Sequence, residues 1–221
     1  MLLLLGALGT RTYAQAAPAP RQTLVEIRTE MGMIVVALYN ETPQHRDNFL
    51  KLVREHAYDS LLFHRVVAGL MVQGGDPDSK HAAEGASLGK GGPGYTLAPE
   101  ILPTLIHKRG ALAAVREPDD VNPERRSNGS QFYIVQGKTY PAADLEAVVQ
   151  RNARYGTTVR YTEAQRRTYA SDGGTPHMDG AYTIFGEVLE GMDVVEAIAA
   201  LPSNAQYRPL KDIRMFMHIM Q

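Results

Sequence analysis

The sequence predicts a mainly β fold, an antiparallel barrel built from seven or eight short strands with two helices across it. Two observations carry this. Short runs rich in β-branched and aromatic residues recur along the whole 221-residue chain, and most of them are not followed by a helix, as a βαβ sheet would need. Outside one segment only two amphipathic helical patterns occur.

The elements follow in order. Thr23–Thr29 and Met33–Tyr39 flank Glu30-Met31-Gly32 and read as a β-hairpin. Thr42-Pro43 places an N-cap residue before a proline at the first helical position, and the helix runs to about Glu55 with Phe49, Leu52 and Val53 on one stripe. Leu61–Val67, Leu70–Gln73, Ala111–Val115, Gln131–Val135 and Thr183–Val188 are strands, and the Gly-rich stretch from Ser87 to Pro99 is loop. Met192–Ala199 is a short helix. Ile213, Met215, Met217 and Ile219 alternate onto one face of a last strand. Thr139 to Pro176 stands apart as a helical insertion. Ala142–Arg154 aligns Leu145, Val148 and Val149, and a second helix starts at Thr162 with Gln165 at capping-box spacing. The chain divides into residues 1–16, a signal-peptide remnant, and 17–221, a single domain with the insertion at about 139–176.

Met1–Leu8 is an apolar run too short to span a bilayer, and Ala14-Gln15-Ala16 gives a small-x-small cleavage pattern. Export, to a periplasm or beyond, is therefore expected, with the true start upstream because no basic residue precedes the run. A cytoplasmic chain with an apolar N-terminus is the alternative. The chain has no Cys and no Trp. There is then no disulfide framework, thiolate nucleophile, zinc ribbon or lipid-anchoring Cys. With 23 basic and 24 acidic residues, a nucleic-acid or anionic-membrane binder is not expected, nor stable membrane insertion. Gly89-x-Gly91-x-x-Gly94 matches a dinucleotide fingerprint on paper. No strand precedes it, Pro93 interrupts it and no helix follows, so the glycines are turn positions. The seven His residues show no ligand spacing, and Ser130 lies in no nucleophile elbow.

Two segments carry chemistry: Phe63-His64-Arg65 with Gly69-Leu70-Met71-Val72-Gln73-Gly74-Gly75-Asp76, and Asn128-Gly129-Ser130-Gln131-Phe132-Tyr133-Ile134. With Gly110–Ala114, Met178-Asp179-Gly180, Thr183–Val188 and Glu190–Val195 they resemble, in order, the cyclophilin family of peptidyl-prolyl cis-trans isomerases. The resemblance covers about residues 22–138 and 177–221. It implies a closed eight-stranded antiparallel barrel capped by two helices, and rotation about X-Pro bonds to assist protein folding, without cofactor or metal. The implied partners are proline-containing polypeptides, including folding exported proteins, met by a monomer. A non-catalytic peptide-binding module or chaperone on the same scaffold is the alternative.

Such chemistry needs no nucleophile. Twisting the amide frees the prolyl nitrogen lone pair, and a guanidinium can hydrogen-bond that nitrogen only in the twisted state. By position, the resemblance makes Arg65 the catalytic arginine and Gln73 the residue that orients it and holds a substrate carbonyl. Leu70, Met71 and Tyr133 match the proline pocket, where the family commonly has Phe at the first and last. Val115 and Arg116 match the pair at the residue before proline, often Ala-Asn in the family, and Gln131 a further polar contact. Met178 and Tyr182 match a Leu and a His of the far rim. His177 stands where many members carry a Trp that binds the cyclic peptide cyclosporin, so weak cyclosporin inhibition is expected.

Overall fold

The computed structural model describes residues 21–220; the expected leader, residues 1–16, lies outside them. Strands β1 (Thr23–Thr29) and β2 (Gly32–Leu38) form the expected hairpin, with Thr29 paired to Gly32. Then come α1 (Pro43–Arg54), β3 (Phe63–Val67), β4 (Met71–Gly74), β5 (Thr96–Leu97), β6 (Ala111–Ala114), β7 (Ser127–Asn128) and β8 (Phe132–Val135). The insertion supplies α2 (Ala142–Arg154) and α3 (Glu163–Ser171), and β9 (Ile184–Glu190), α4 (Met192–Ala199) and β10 (Phe216–Ile219) close the chain. The main sheet has eight strands in the order β10-β1-β2-β9-β6-β8-β4-β3, every pair antiparallel.

This sheet is curled but open, which corrects the expected closed barrel to a half-barrel with four helices. Its edges are β3 and β10. The two strands do not pair; among the described residues the backbone hydrogen bonds here involve the segments flanking them, Ser60 N–H to Met215 O at 2.9 Å, Met215 N–H to Leu61 O at 2.8 Å, Phe63 N–H to Ile213 O at 3.0 Å and Val66 N–H to Tyr207 O at 2.8 Å. A four-residue β10 and a bulged β3 leave too little in-register backbone to zip the edges together. Thr96–Leu97, expected as loop, instead pairs with Ser127–Asn128 in a separate two-strand ladder.

The concave face holds the core. Val25, Ile27, Ile34, Val36 and Leu38 meet Phe49, Leu52 and Val53 of α1 and Val195 and Ile198 of α4. The alternation read for the last strand holds, with Ile213, Met215 and Met217 all inside. Thr42 precedes α1, but its hydroxyl makes no cap. Glu100, from a distant loop, accepts from the Gln44 and His45 N–H groups at 3.1 and 3.0 Å instead. That carboxylate fills the positive helix start. At α3 the capping box forms as its spacing requires, Thr162 and Gln165 each accepting from the other's backbone N–H.

The insertion leaves and rejoins the sheet through one neck. Lys138 and Gly174 exchange backbone hydrogen bonds at 3.2 and 3.0 Å, and Thr175 N–H bonds His107 O at 2.8 Å. Gly174 has φ +152°, and a Cβ there would sit 2.2 Å from the His107 oxygen, so only glycine lets the three backbones converge. Above the neck, Leu145, Tyr161 and Tyr169 pack on Ile106 in a small core of their own.

Candidate active site

The expected residues converge on the convex face, and a bulge puts the first of them there. Phe63 pairs with Gly74, but Arg65 pairs with Gln73, so His64 is the extra residue of β3. Phe63 and Val66 both face the core, and Arg65 between them is turned outward. Strict alternation from Phe63 would have buried it. Pairing then continues across the sheet from Arg65 to Gln73, Tyr133 and Ala113. Four strands thus contribute one cross-strand row.

Hydrogen bonds fix the row's polar end. The Arg65 guanidinium donates to Gln73 Oε1 at 3.2 Å. Gln73 Nε2 donates to Gln131 Oε1 at 2.9 Å, and Gln131 Nε2 to Gly91 O at 2.7 Å. Each amide is oriented by its neighbour, and Gln73 and Gln131 are nearly buried. Arg65 forms no ion pair among the described residues; its other neighbour is the Tyr207 ring, 5.6 Å away. The guanidinium therefore keeps most of its donors for a ligand. Tyr207 was not foreseen, since it lies in the irregular stretch before β10, where no periodic pattern marks it.

The Asn-Gly-Ser-Gln turn has a local cause. Asn128 Oδ1 accepts from the Ser130 and Gln131 N–H groups at 2.9 and 3.0 Å, folding the turn that delivers Gln131 and Tyr133. A Cβ on Gly129 would come within 2.8 Å of the Tyr95 backbone oxygen.

The row's apolar end is a second cluster. Met71, Tyr133 and Ile184 are buried there, with Leu70, Val115, Met178 and Tyr182 half-exposed around them. Tyr182 stands edge-on to Tyr133, ring centres 5.9 Å apart at 87°. Arg116 is not a solvated loop residue. Its guanidinium covers the Tyr182 ring at 4.6 Å, donates to Ala181 O at 2.7 Å and pairs with Asp119. The Arg116 backbone N–H and C=O make no protein hydrogen bond among the described residues, whereas both of those groups in Val115 are used, toward Gln131 and Asn128. A cavity of about 240 Å³ opens beside Arg116 and Gln131, with Val121 and Asn122 on its far wall.

His177 and Met178 sit on a short 3₁₀ turn, Pro176–Met178. The insertion grips that turn. Asn152 Nδ2 donates to Pro176 O at 3.3 Å, and the Tyr161 hydroxyl oxygen lies 3.2 Å from the same carbonyl. Burial, with Arg151 and His107 nearby, holds the His177 pKa below its ordinary value.

Two other arrangements carry no chemistry. Ser127 Oγ, His45 and Glu100 are linked at 2.9 and 2.7 Å like a hydrolase relay. Ser127 and His45 are both buried, the space beside His45 is only about 10 Å³, and Glu100 is the α1 cap. The Gly89 and Gly91 N–H groups point at the buried Asp76 carboxylate, which occupies the place a phosphate would take in a dinucleotide fold.

Comparisons with known proteins point to one family. The family model for cyclophilin type peptidyl-prolyl cis-trans isomerases matches residues 24–218. A Staphylococcus haemolyticus protein named as a peptidyl-prolyl cis-trans isomerase is 30% identical over 193 residues, 86% of each chain. A Streptococcus pyogenes protein named as a bifunctional phosphatase/peptidyl-prolyl cis-trans isomerase is 33% identical over 195 residues; the match takes in 86% of this chain and 37% of that protein. A Cryptosporidium parvum cyclophilin type isomerase superposes with a TM-score of 0.66 at 24% identity, covering 90% of this chain and 98% of its own. The same protein in the presence of the dipeptide Ala-Pro gives a TM-score of 0.64.

Proposed function

The chain belongs to the cyclophilin type peptidyl-prolyl cis-trans isomerases, and from that premise we propose that the row Arg65–Gln73–Tyr133 is where it turns X-Pro bonds. The barrier to be lowered is ~18–20 kcal/mol of amide resonance. An acceleration of ~10⁵ needs about 7 kcal/mol. One charge-assisted hydrogen bond gives about 1.5–3 kcal/mol, so Arg65 cannot act alone. The prolyl ring lies on Met71 and Tyr133, walled by Leu70, Met178 and Tyr182. The Arg116 backbone holds the residue before proline in extended form beside Val115. Gln73 has one amide hydrogen left for a substrate carbonyl. With both sides of the bond gripped, rotation brings the freed lone pair to Arg65, a contact that exists only in the twisted state. The observation that carries this reading is a guanidinium aligned by Gln73 with no counter-ion among the described residues. A coupled isomerisation assay on an Ala-Pro peptide, with and without Arg65, tests it.

The substrates proposed are proline-containing segments of folding polypeptides. Exported clients are proposed from the leader-like residues 1–16, and recovery of Thr12–Ala16 on the protein isolated from its native compartment would remove that clientele. Weak inhibition by cyclosporin is proposed from His177. His177→Trp, which adds an indole ring and its N–H at the rim, is expected to raise cyclosporin affinity about tenfold. An inhibition titration checks this, and tight inhibition of the native chain would refute it.

A further inference from the structure

Beneath the proline pocket runs a second polar chain. The Tyr133 hydroxyl lies 2.8 Å from His107 Nε2, and His107 Nδ1 lies 2.7 Å from Asp179 Oδ1, which also accepts the His107 backbone N–H at 2.7 Å. Asp179 Oδ2 accepts from the hydroxyls of Tyr161 and Tyr169 at 2.7 and 2.5 Å. All five residues are buried, His107 and Tyr169 completely.

The directions of these bonds follow from chemistry. A carboxylate only accepts, so His107 Nδ1 carries the proton facing it. In the neutral imidazole Nε2 then accepts, and the Tyr133 hydroxyl donates to it, pointing away from the proposed prolyl site. The His107 and Tyr133 rings lie nearly parallel, 8° apart with centres 6.0 Å apart. Four donors satisfy the buried carboxylate, and the two on Oδ2 both come from the helical insertion.

We infer that Asp179 and His107 are positioning residues for the proline pocket, and that the insertion acts on the pocket through Tyr161 and Tyr169. The two insertion hydroxyls fix the carboxylate, the carboxylate fixes the tautomer and plane of His107, and His107 fixes the plane of the Tyr133 ring on which proline lies. The hydroxyl anchor adds a directional contact to the packing of the Tyr133 ring. This inference rests on the proline-pocket reading above.

The experiment is a double-mutant cycle on Ala-Pro peptide kinetics. Tyr161→Phe and Tyr169→Phe keep both rings and remove both hydroxyls. Together they are expected to raise KM about tenfold with kcat within about twofold, because the reacting-bond contact to Arg65 is untouched. In a Tyr133→Phe background the same pair is expected to change KM less than about twofold, since the last link is already cut. In long-range ¹H–¹⁵N spectra, native His107 is expected to show an unprotonated Nε2, and the double variant a mixture of tautomers. If the double variant does not fold, each single variant leaves one donor on Oδ2 and is expected to raise KM about threefold. An unchanged KM in folded variants, or equal effects in both backgrounds, would reduce the network to a structural one. Arg65→Ala is measured beside them. Lost turnover there with an unmoved KM in the tyrosine variants overturns the relay alone, whereas full turnover without Arg65 overturns the pocket reading itself.

Discussion

Replacing Arg65 with Ala is expected to lower turnover on an Ala-Pro peptide by ~10²–10³, a loss of about 3–4 kcal/mol of transition-state stabilisation. Stability should hardly move. Arg65 points out of the sheet, forms no ion pair among the described residues, and its loss gives up only the hydrogen bond to the Gln73 oxygen and the contact with the Tyr207 ring. Arg65→Lys should recover little. A lysine keeps the charge but loses the planar fork that bonds Gln73 with one arm and leaves others for the prolyl nitrogen. Wild-type and Arg65→Ala rates that coincide, with both chains folded, would end the assignment.

Acid is the second strong lever, through the residue that makes the bulge. His64 is 3% exposed, and neither ring nitrogen has a hydrogen-bond partner among the described residues. Burial drives its pKa down to about 4, against a weaker opposing pull from Asp76. Burial also lowers His45 and His177. Between pH 6.5 and about 4 the unfolded chain takes up a proton at His64 that the folded chain refuses. Stability is therefore complete above pH ~6.5 and drains as the pH falls toward ~4, by up to about 3 kcal/mol for His64. That is a large share of a typical total of about 5–15 kcal/mol. Denaturant midpoints at pH 7.5 and 4.5 should separate widely for the native chain and much less for His64→Phe. Parallel pH dependences in the two proteins would show that His64 is not the sensor.

What the sequence makes legible is local. The first hairpin, Ala142–Arg154 and the Thr162–Gln165 box depend on neighbours within a few residues, and each is found where its pattern lies. What it hides is set by distant partners. Thr42 has the composition of a cap, yet Glu100 does the capping from 55 residues beyond His45. Closure of the barrel depended on how few residues of β10 meet β3, which no strand pattern reveals. At the site, Arg65, Gln73, Gln131 and Tyr133 were legible because their motifs are contiguous. His107 and Asp179 are 72 residues apart, so no spacing rule joins them. The phenol that sets Tyr133 apart from the Phe common in the family was the one available sign that something polar lay beneath it.

The cross-strand row also bears on the order in which this chain becomes competent. Its members come from β3, β4, β6 and β8, so residues from 65 to 133 must be in register before any of them faces the others. Contacts this distant along the chain form late, after loop closure has been overcome. A chain emerging from the ribosome holds Arg65 apart from Tyr133 until β8 arrives and docks between β4 and β6. The complete row is thus a product of late folding, and no fragment that ends before Tyr133 contains it.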